Sequence, residues 1–219
     1  MRIVLIGPPG AGKGTQARFL AERFSIPVIS AGDLFRVHVT AGTALGRKAR
    51  EYMDAGALVP DEMTAAMMAD RLAEEDAASG FLLDGFPRTV RQAELLHQTL
   101  VDQDAALDHV LAFEVPDDHV VRRLAARRTC GDCGLVQRRD PVANDGPSSC
   151  QACGGALQRR DDDQDEIVRN RLSVYAEQTV PLLRWYAACF GSLTRVNATG
   201  PVEEVTRRVL AAIVPSMVI

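Results

Sequence analysis

The chain has 219 residues, 47% hydrophobic and 25% charged, with a formal net charge of −4. This is the composition of a globular protein large enough to bury a sizeable core. Its acidic balance argues against a dedicated nucleic-acid binder, which would carry a basic excess. No charged segment followed by an apolar one opens the chain, and no apolar run reaches the roughly 18 residues of a membrane helix. A cytoplasmic protein without nucleic-acid or membrane partners is expected.

In chain order, residues 2–6 (RIVLI) read as a buried strand. The following GPPGAGKGT, residues 7–15, almost fits the phosphate-binding pattern G-x-x-x-x-G-K-[ST]. Gly7, Gly12 and Lys13 stand where it needs them; Gly14 stands where a Mg²⁺-ligating hydroxyl is usual, and Thr15 comes one position late. Glycines let successive N–H groups turn inward around phosphate oxygens, and the next helix aims its positive end at the same anion. The loop follows a strand and precedes helical spacing at 15–24, where Phe19, Leu20 and Phe24 share a face. A nucleotide-phosphate site is therefore expected. With no loop hydroxyl after the lysine, its Mg²⁺ would be held mainly by phosphates and water.

A strand is predicted at 27–30, helical stretches broken by Gly42 and Gly46 over 32–56, and a helix at 61–78 after Pro60. Strands at 81–84 and 109–115 bracket a helix at 89–101 with Leu95, Leu96 and Leu100 on one side. A helix over 117–128 would place Arg123 and Arg127, four apart, on one face. The pattern then stops at 129–158, rich in Gly, Asp, Cys and Pro, which reads as an inserted module. A long helix over 163–190, kinked or split at Pro181, a strand at 193–197 and a helix at 202–213 complete the chain. Strands alternating with helices imply βαβ units and a parallel sheet covered on both faces.

Cys130, Cys133, Cys150 and Cys153 form two C-x₂-C pairs separated by sixteen residues. Thiolates so spaced suit a tetrahedral structural Zn²⁺ with no open position. A module this poor in apolar residues cannot build its own core, and a metal can supply the missing folding free energy. A redox pair and a nucleic-acid zinc ribbon are the other readings. Cys189, among Ala187, Ala188 and Phe190, is expected to be a buried thiol.

GPPGAGKGT, ISAGDLFR (29–36), FLLDGFPRT (81–89), VPDDHVVRRLAARR (115–128) and RRDDDQDEIVRNRL (159–172) together resemble the adenylate kinases, in order over most of the chain. In that family Gly-Thr follows the loop lysine, so Gly14 matches it. The resemblance implies a P-loop three-layer α/β/α fold with a central parallel five-stranded sheet. A core (1–29, 60–125 and 164–219) would carry a helical monophosphate-binding insert (30–59) and a zinc-stabilised lid (126–163). The implied reaction passes the γ-phosphoryl group of ATP·Mg²⁺ to AMP, giving two ADP, by a monomer. Charge neutralisation and alignment dominate such a transfer, and Arg suits bidentate phosphate contact. All but Lys13 and Lys48 of the 25 Lys and Arg are arginines.

Carried over by motif, ATP would contact Gly10, Ala11, Gly12, Lys13, Gly14 and Thr15, then Arg123, Arg127, the backbone at Val136 and Gln137, and Gly200. AMP would contact Ala31, Arg36, Ala57, Leu58, Val59, Gly85, Arg88 and Gln92, with Arg160 and Arg171 converging on the transferring group. Lys13, Arg88, Arg123, Arg160 and Arg171 are the implied catalytic set. Asp84, with Asp33 in the same shell, would order Mg²⁺ through water. Two departures from the family bear on substrate. Ala31 replaces the usual Thr, as in the UMP/CMP kinases, and the lid stretch 135–144 lacks the usual aromatic or His. A UMP/CMP kinase is the alternative, and a nucleotide-gated zinc module a more distant one.

Overall fold

The computed structural model describes residues 1–139, 148–189 and 193–214. β1 (Arg2–Ile6) leads through the glycine-rich loop into α1 (Lys13–Phe24), and β2 (Val28–Ser30) follows. Next come α2 (Ala31–Thr40), α3 (Ala44–Asp54), α4 (Asp61–Leu72), β3 (Phe81–Asp84), α5 (Val90–Asp102), β4 (His109–Glu114) and α6 (Asp117–Ala125). The insert contributes β5 (Arg127–Cys130), β6 (Val136–Arg138) and β7 (Leu157–Gln158). α7 (Asp165–Val174), α8 (Val180–Cys189), β8 (Leu193–Asn197) and α9 (Val202–Ile213) complete the described chain. Among the described residues no helix is long and apolar enough to cross a membrane.

The main sheet has five parallel strands in the order β2-β3-β1-β4-β8. Successive strand side chains point to opposite faces, and here both faces are covered. Val4, Ile6, Leu83 and Val110 enter one core with residues of α2, α3, α4, α5 and α8. Ile3, Leu5, Leu82 and Leu111 enter the other with α1 and α9. A strand buried on both sides needs the continuous apolar run that RIVLI supplies. From β1 the chain goes to the edge strand β2, returns through β3 beside β1, and then crosses to β4 on the other side. Such a reversal opens a crevice at the carboxyl ends of the strands, where the glycine-rich loop sits.

Several predicted elements differ in detail. α1 begins at Lys13, and its buried face is Gln16, Ala17 and Leu20, while Phe19 is 45% exposed. The predicted helix at 61–78 ends at Leu72 and gives way to a short 3-10 turn, Glu75–Ala77. α6 ends at Ala125 and Arg127 opens β5, so Arg123 and Arg127 do not share a helix face. The insert is ordered by an antiparallel three-stranded sheet, β6-β5-β7, too short-stranded to leave a periodic signal. The long helix is interrupted by a π turn, Tyr175–Thr179, just before Pro181. Pro181 has no N–H to offer the carbonyl four residues earlier, and the ladder changes register there. Cys189 is exposed rather than buried, and Phe190 lies outside the described residues.

Gly46 does not break a helix. It lies in the first turn of α3, where its N–H donates to the capping Oγ1 of Thr43 at 3.0 Å. A Cβ at this position would stand 2.0 Å from the carbonyl oxygen of His38, so α2 and α3 meet backbone to backbone. Gly46→Ala is expected to lower unfolding free energy by at least about 2 kcal/mol and the melting temperature by about 5 °C. A thermal melt indistinguishable from that of the parent would contradict this packing.

Candidate active site

Every nucleotide-contacting residue singled out from the sequence lines one cleft of about 740 Å³ at the carboxyl end of the sheet. The glycine-rich loop and α1 form its floor, with β3 and the turn after it alongside. α2 and the turn after α3 form one wall, and α6, β5, β6 and α7 the other.

Lys13 bends back over its own loop, where Nζ donates to the carbonyls of Gly7 at 2.8 Å and Pro8 at 2.9 Å. Burial pushes its ammonium down to about 8; Asp84 opposes the fall, and Arg88, Arg171 and Arg127 add to it. Gly14 has a steric reason to be glycine. A Cβ there would lie 3.2 Å from Oδ2 of Asp84. The carboxylate thus presses against the loop at the position where other phosphate loops carry a hydroxyl.

The arginines arrive from separate elements. Arg123 of α6 donates to the carbonyls of Ala11 at 3.2 Å and Ala198 at 2.8 Å, tying the phosphate loop to the exit of β8. Arg88 donates through Nε to Gly85 at 2.8 Å, and Arg36 pairs with Asp33 at 2.5 Å. Arg160 donates through Nε to Oγ1 of Thr129 at 2.9 Å. Arg171 reaches the carbonyl and the carboxylate of Asp162, both at 2.8 Å. Arg127 forms a two-pronged pair with Asp163, Nε to Oδ2 at 2.7 Å and Nη2 to Oδ1 at 2.5 Å, and Asp163 is fully buried.

The cluster is short of negative charge. Burial lowers Arg160 to about 10, with Arg36 and Arg127 adding to the fall against Asp162 and Asp33. Burial likewise lowers Arg171 to about 10, against Asp162 and Asp163 and with Arg127 and Arg88. Asp162 is held below the usual carboxylate range despite its burial, because Arg171, Arg127, Arg36 and Arg160 surround it. A polyanion entering this cleft relieves several like-charge repulsions together.

Asp162 and Asp163 were not singled out from the sequence. Their signal was the acidic run after Arg160, which reads equally as a solvated turn. Gln16 was also missed: it is 2% exposed, its Nε2 donates to the carbonyl of Val202 at 3.3 Å, and its Oε1 has no partner among the described residues. Val136 is 41% exposed, whereas Gln137 is buried and its Oε1 accepts from the N–H of Gln151 at 3.2 Å. The Gln137 side chain therefore braces the second cysteine turn. Of the unusual stretch 135–144, residues 140–144 lie outside the described residues.

Away from the cleft, the thiols of Cys130, Cys133, Cys150 and Cys153 all lie within 4.8 Å of one another. Cys130 and Cys153 stand 3.5 Å apart, as do Cys133 and Cys150. A tetrahedron with metal–sulfur bonds near 2.3 Å has sulfur–sulfur edges of roughly 3.8 Å, so the four donors already stand close to that spacing. Each pair sits on a tight turn, closed by Gly134 N–H to Cys130 at 3.1 Å and Gly154 N–H to Cys150 at 2.8 Å.

A family model described as "Adenylate kinase" matches residues 5–189. The chain belongs to the adenylate kinase family. A relative of that name from Acidothermus cellulolyticus is 56% identical over 215 residues, covering 97% of this chain and 98% of the relative. One from Salinispora tropica is 54% identical over 213 residues, covering 97% and 98%. One from Streptomyces griseus subsp. griseus is 52% identical over 217 residues, covering 97% of each chain. Adenylate kinases of this length thus share nearly the whole chain, insert included.

The lowered Lys13 ammonium has a consequence for binding. A phosphate seated on Lys13 would favour its protonated form, so the protein would take up a proton on binding ATP near pH 8. Below pH 8 the lysine is already charged. Above it, affinity should fall by up to about tenfold per pH unit. Calorimetry between pH 7 and 9 should show a rising ATP dissociation constant with proton uptake, and Lys13→Met should bind weakly without that dependence. A parent affinity that stays flat across this range would contradict the assignment.

Proposed function

We infer that this chain catalyses the reversible transfer of the γ-phosphoryl group from ATP·Mg²⁺ to AMP, giving two ADP. The observation that carries this reading is the convergence of Lys13, Arg88, Arg123, Arg127, Arg160 and Arg171, from six separate elements and turns, on one cleft. Phosphoryl transfer between two anions asks for such convergence, since positioning and charge neutralisation do most of the catalytic work.

In this reading Lys13 and the N–H groups of residues 10–15 cradle the ATP phosphates. Arg123 and Arg127 flank them, and the backbone at Val136, Gln137 and Gly200 frames the adenine. Arg36 and Arg88 hold the AMP phosphate, with Gly85, Gln92 and residues 57–59 around its base. Arg160 and Arg171 bridge the two phosphates across the transferring group. Asp84, seated against Gly14, with Asp33 nearby, would hold through water a Mg²⁺ brought with ATP, which would offset phosphate charge. Ala31 is buried in the core at the start of α2 and adds no polar group to the pocket. The UMP/CMP alternative is not favoured, because the similar relatives are adenylate kinases.

The division into parts follows the same logic. Residues 30–59 form the monophosphate insert and 126–163 the lid, on a core of 1–29, 60–125 and 164–219. Closure of the two inserts excludes water and suppresses ATP hydrolysis. The assembly proposed with this reading is a monomer. The four cysteines would hold a structural Zn²⁺, which would stabilise the lid and take no part in the transfer.

In a coupled assay, ATP should yield ADP only when AMP is present. Lys13→Met and Arg171→Met should each lower kcat by about 10²–10³; AMP-independent turnover would sink the reading. Elemental analysis should find about one zinc per chain, and chelation should lower the melting temperature. A metal-free protein that melts at the same temperature would rule out the zinc.

A further inference from the structure

Gln92 is 2% exposed, lines the monophosphate end of the cleft, and is fixed at both ends of its amide. It sits in the first turn of α5, where its own N–H donates to the capping Oγ1 of Thr89 at 3.0 Å. Its Oε1 accepts from the backbone N–H of Arg88 at 2.8 Å. Its Nε2 donates to Oδ1 of Asp61, the first residue of α4, at 2.9 Å. A backbone N–H can only donate and a carboxylate can only accept. The two partners therefore impose the same amide orientation, and a flipped amide would set N–H against N–H and oxygen against oxygen.

A primary amide carries two N–H donors and two acceptor lone pairs. Arg88 uses one lone pair and Asp61 uses one N–H. One lone pair and one N–H remain for a ligand. Neighbouring wall side chains offer nothing comparable: Ala31, Leu58 and Val59 are apolar, and Thr64 spends its hydroxyl on the carbonyl of Val59 at 3.2 Å.

We propose that Asp61 is a positioning residue that sets base selectivity at the acceptor site, by locking the Gln92 amide so that it reads an amino group beside an unprotonated ring nitrogen. Adenine (N6–H beside N1) and cytosine (N4–H beside N3) carry that pattern on their pairing edges. Guanine and uracil carry the reverse, a carbonyl beside a ring N–H, and meet an amide held the wrong way. Pocket size then separates AMP from CMP. The proposal rests on reading this end of the cleft as the monophosphate site.

The test compares the full-length parent with Asp61→Ala, Asp61→Ser and Asp61→Asn on AMP, CMP, GMP and UMP, with KM for ATP and a thermal melt for each. The Asp61→Ala change should lower kcat/KM for AMP and CMP by about tenfold, the scale of one charged hydrogen bond. That loss should lie in the monophosphate KM, with KM for ATP unmoved and GMP and UMP not lowered. Asp61→Asn, whose carbonyl still accepts from Nε2, should restore selectivity. Asp61→Ser, whose hydroxyl imposes no orientation, should behave as Ala does and serves if Ala does not fold. Equal losses on all four monophosphates, a parallel rise in KM for ATP, or an unchanged AMP:GMP ratio would overturn the role of Asp61. A parent that does not phosphorylate AMP would overturn the acceptor-site reading itself, and this inference with it.

Discussion

The organising constraint of this molecule is a cluster of cations held in one partly buried cleft, where they outnumber the carboxylates that line it. Lys13, Arg88, Arg160 and Arg171 all titrate below their usual range, with burial the leading cause and repulsion by neighbouring arginines, Arg36 and Arg127 among them, adding to it. Folding alone would disperse such charges. They are held because each is anchored from behind: Lys13 on Gly7 and Pro8, Arg88 on Gly85, Arg160 on Thr129, Arg171 on Asp162. In the proposed reading, entering phosphates turn this repulsion into attraction, so binding energy and catalytic arrangement would share one origin.

The acidic residues define how far that imbalance goes. Asp162 and Asp163 lie between Arg127, Arg160 and Arg171 and cancel part of their charge. They leave the arginines aimed rather than quenched. α7, which carries Arg171, also reaches the wall across the cleft: Asn170 donates to the carbonyl of Ala55 at 2.5 Å, and Gly56 packs on Ile167. The π turn at Tyr175–Thr179 then separates α7 from α8, whose Leu182, Leu183 and Tyr186 are sunk in the core. One continuous rod thus has a cleft-facing half and an anchored half, with its irregular turn between them.

Much of this was legible in the chain itself, for identifiable reasons. RIVLI, FLLD and HVLAFE are short apolar runs because parallel strands are buried on both faces, and each became a strand of the main sheet. β8 and α9 match their predicted bounds, since Pro201 and the turn before it mark the boundary. The insert was legible as an insert but not as a sheet, because β7 has two residues and β6 three, too few for an alternating pattern. The end of α6 was missed because 125–128 (AARR) has good helix propensity, and the pairing of Arg127 and Arg128 with β6 overrides it. Gly46 was misread because a glycine that permits close helix approach and one that ends a helix are written alike.

The sequence by itself determined the family, the phosphate loop, the cysteine pairs and a set of candidate contact residues that all line one cleft. Each of these is a local pattern of residue types at set spacings. Only the tertiary structure decided which groups oppose or support one another. It put Asp84 against Gly14, Asp163 behind Arg127, and Asp61 on the amide of Gln92. These pairs are separated by 70, 36 and 31 positions in the chain. No local propensity encodes such contacts. They exist because the sheet and its covering helices close these distances while burying apolar surface elsewhere, and the polar groups left in the cleft must then satisfy one another.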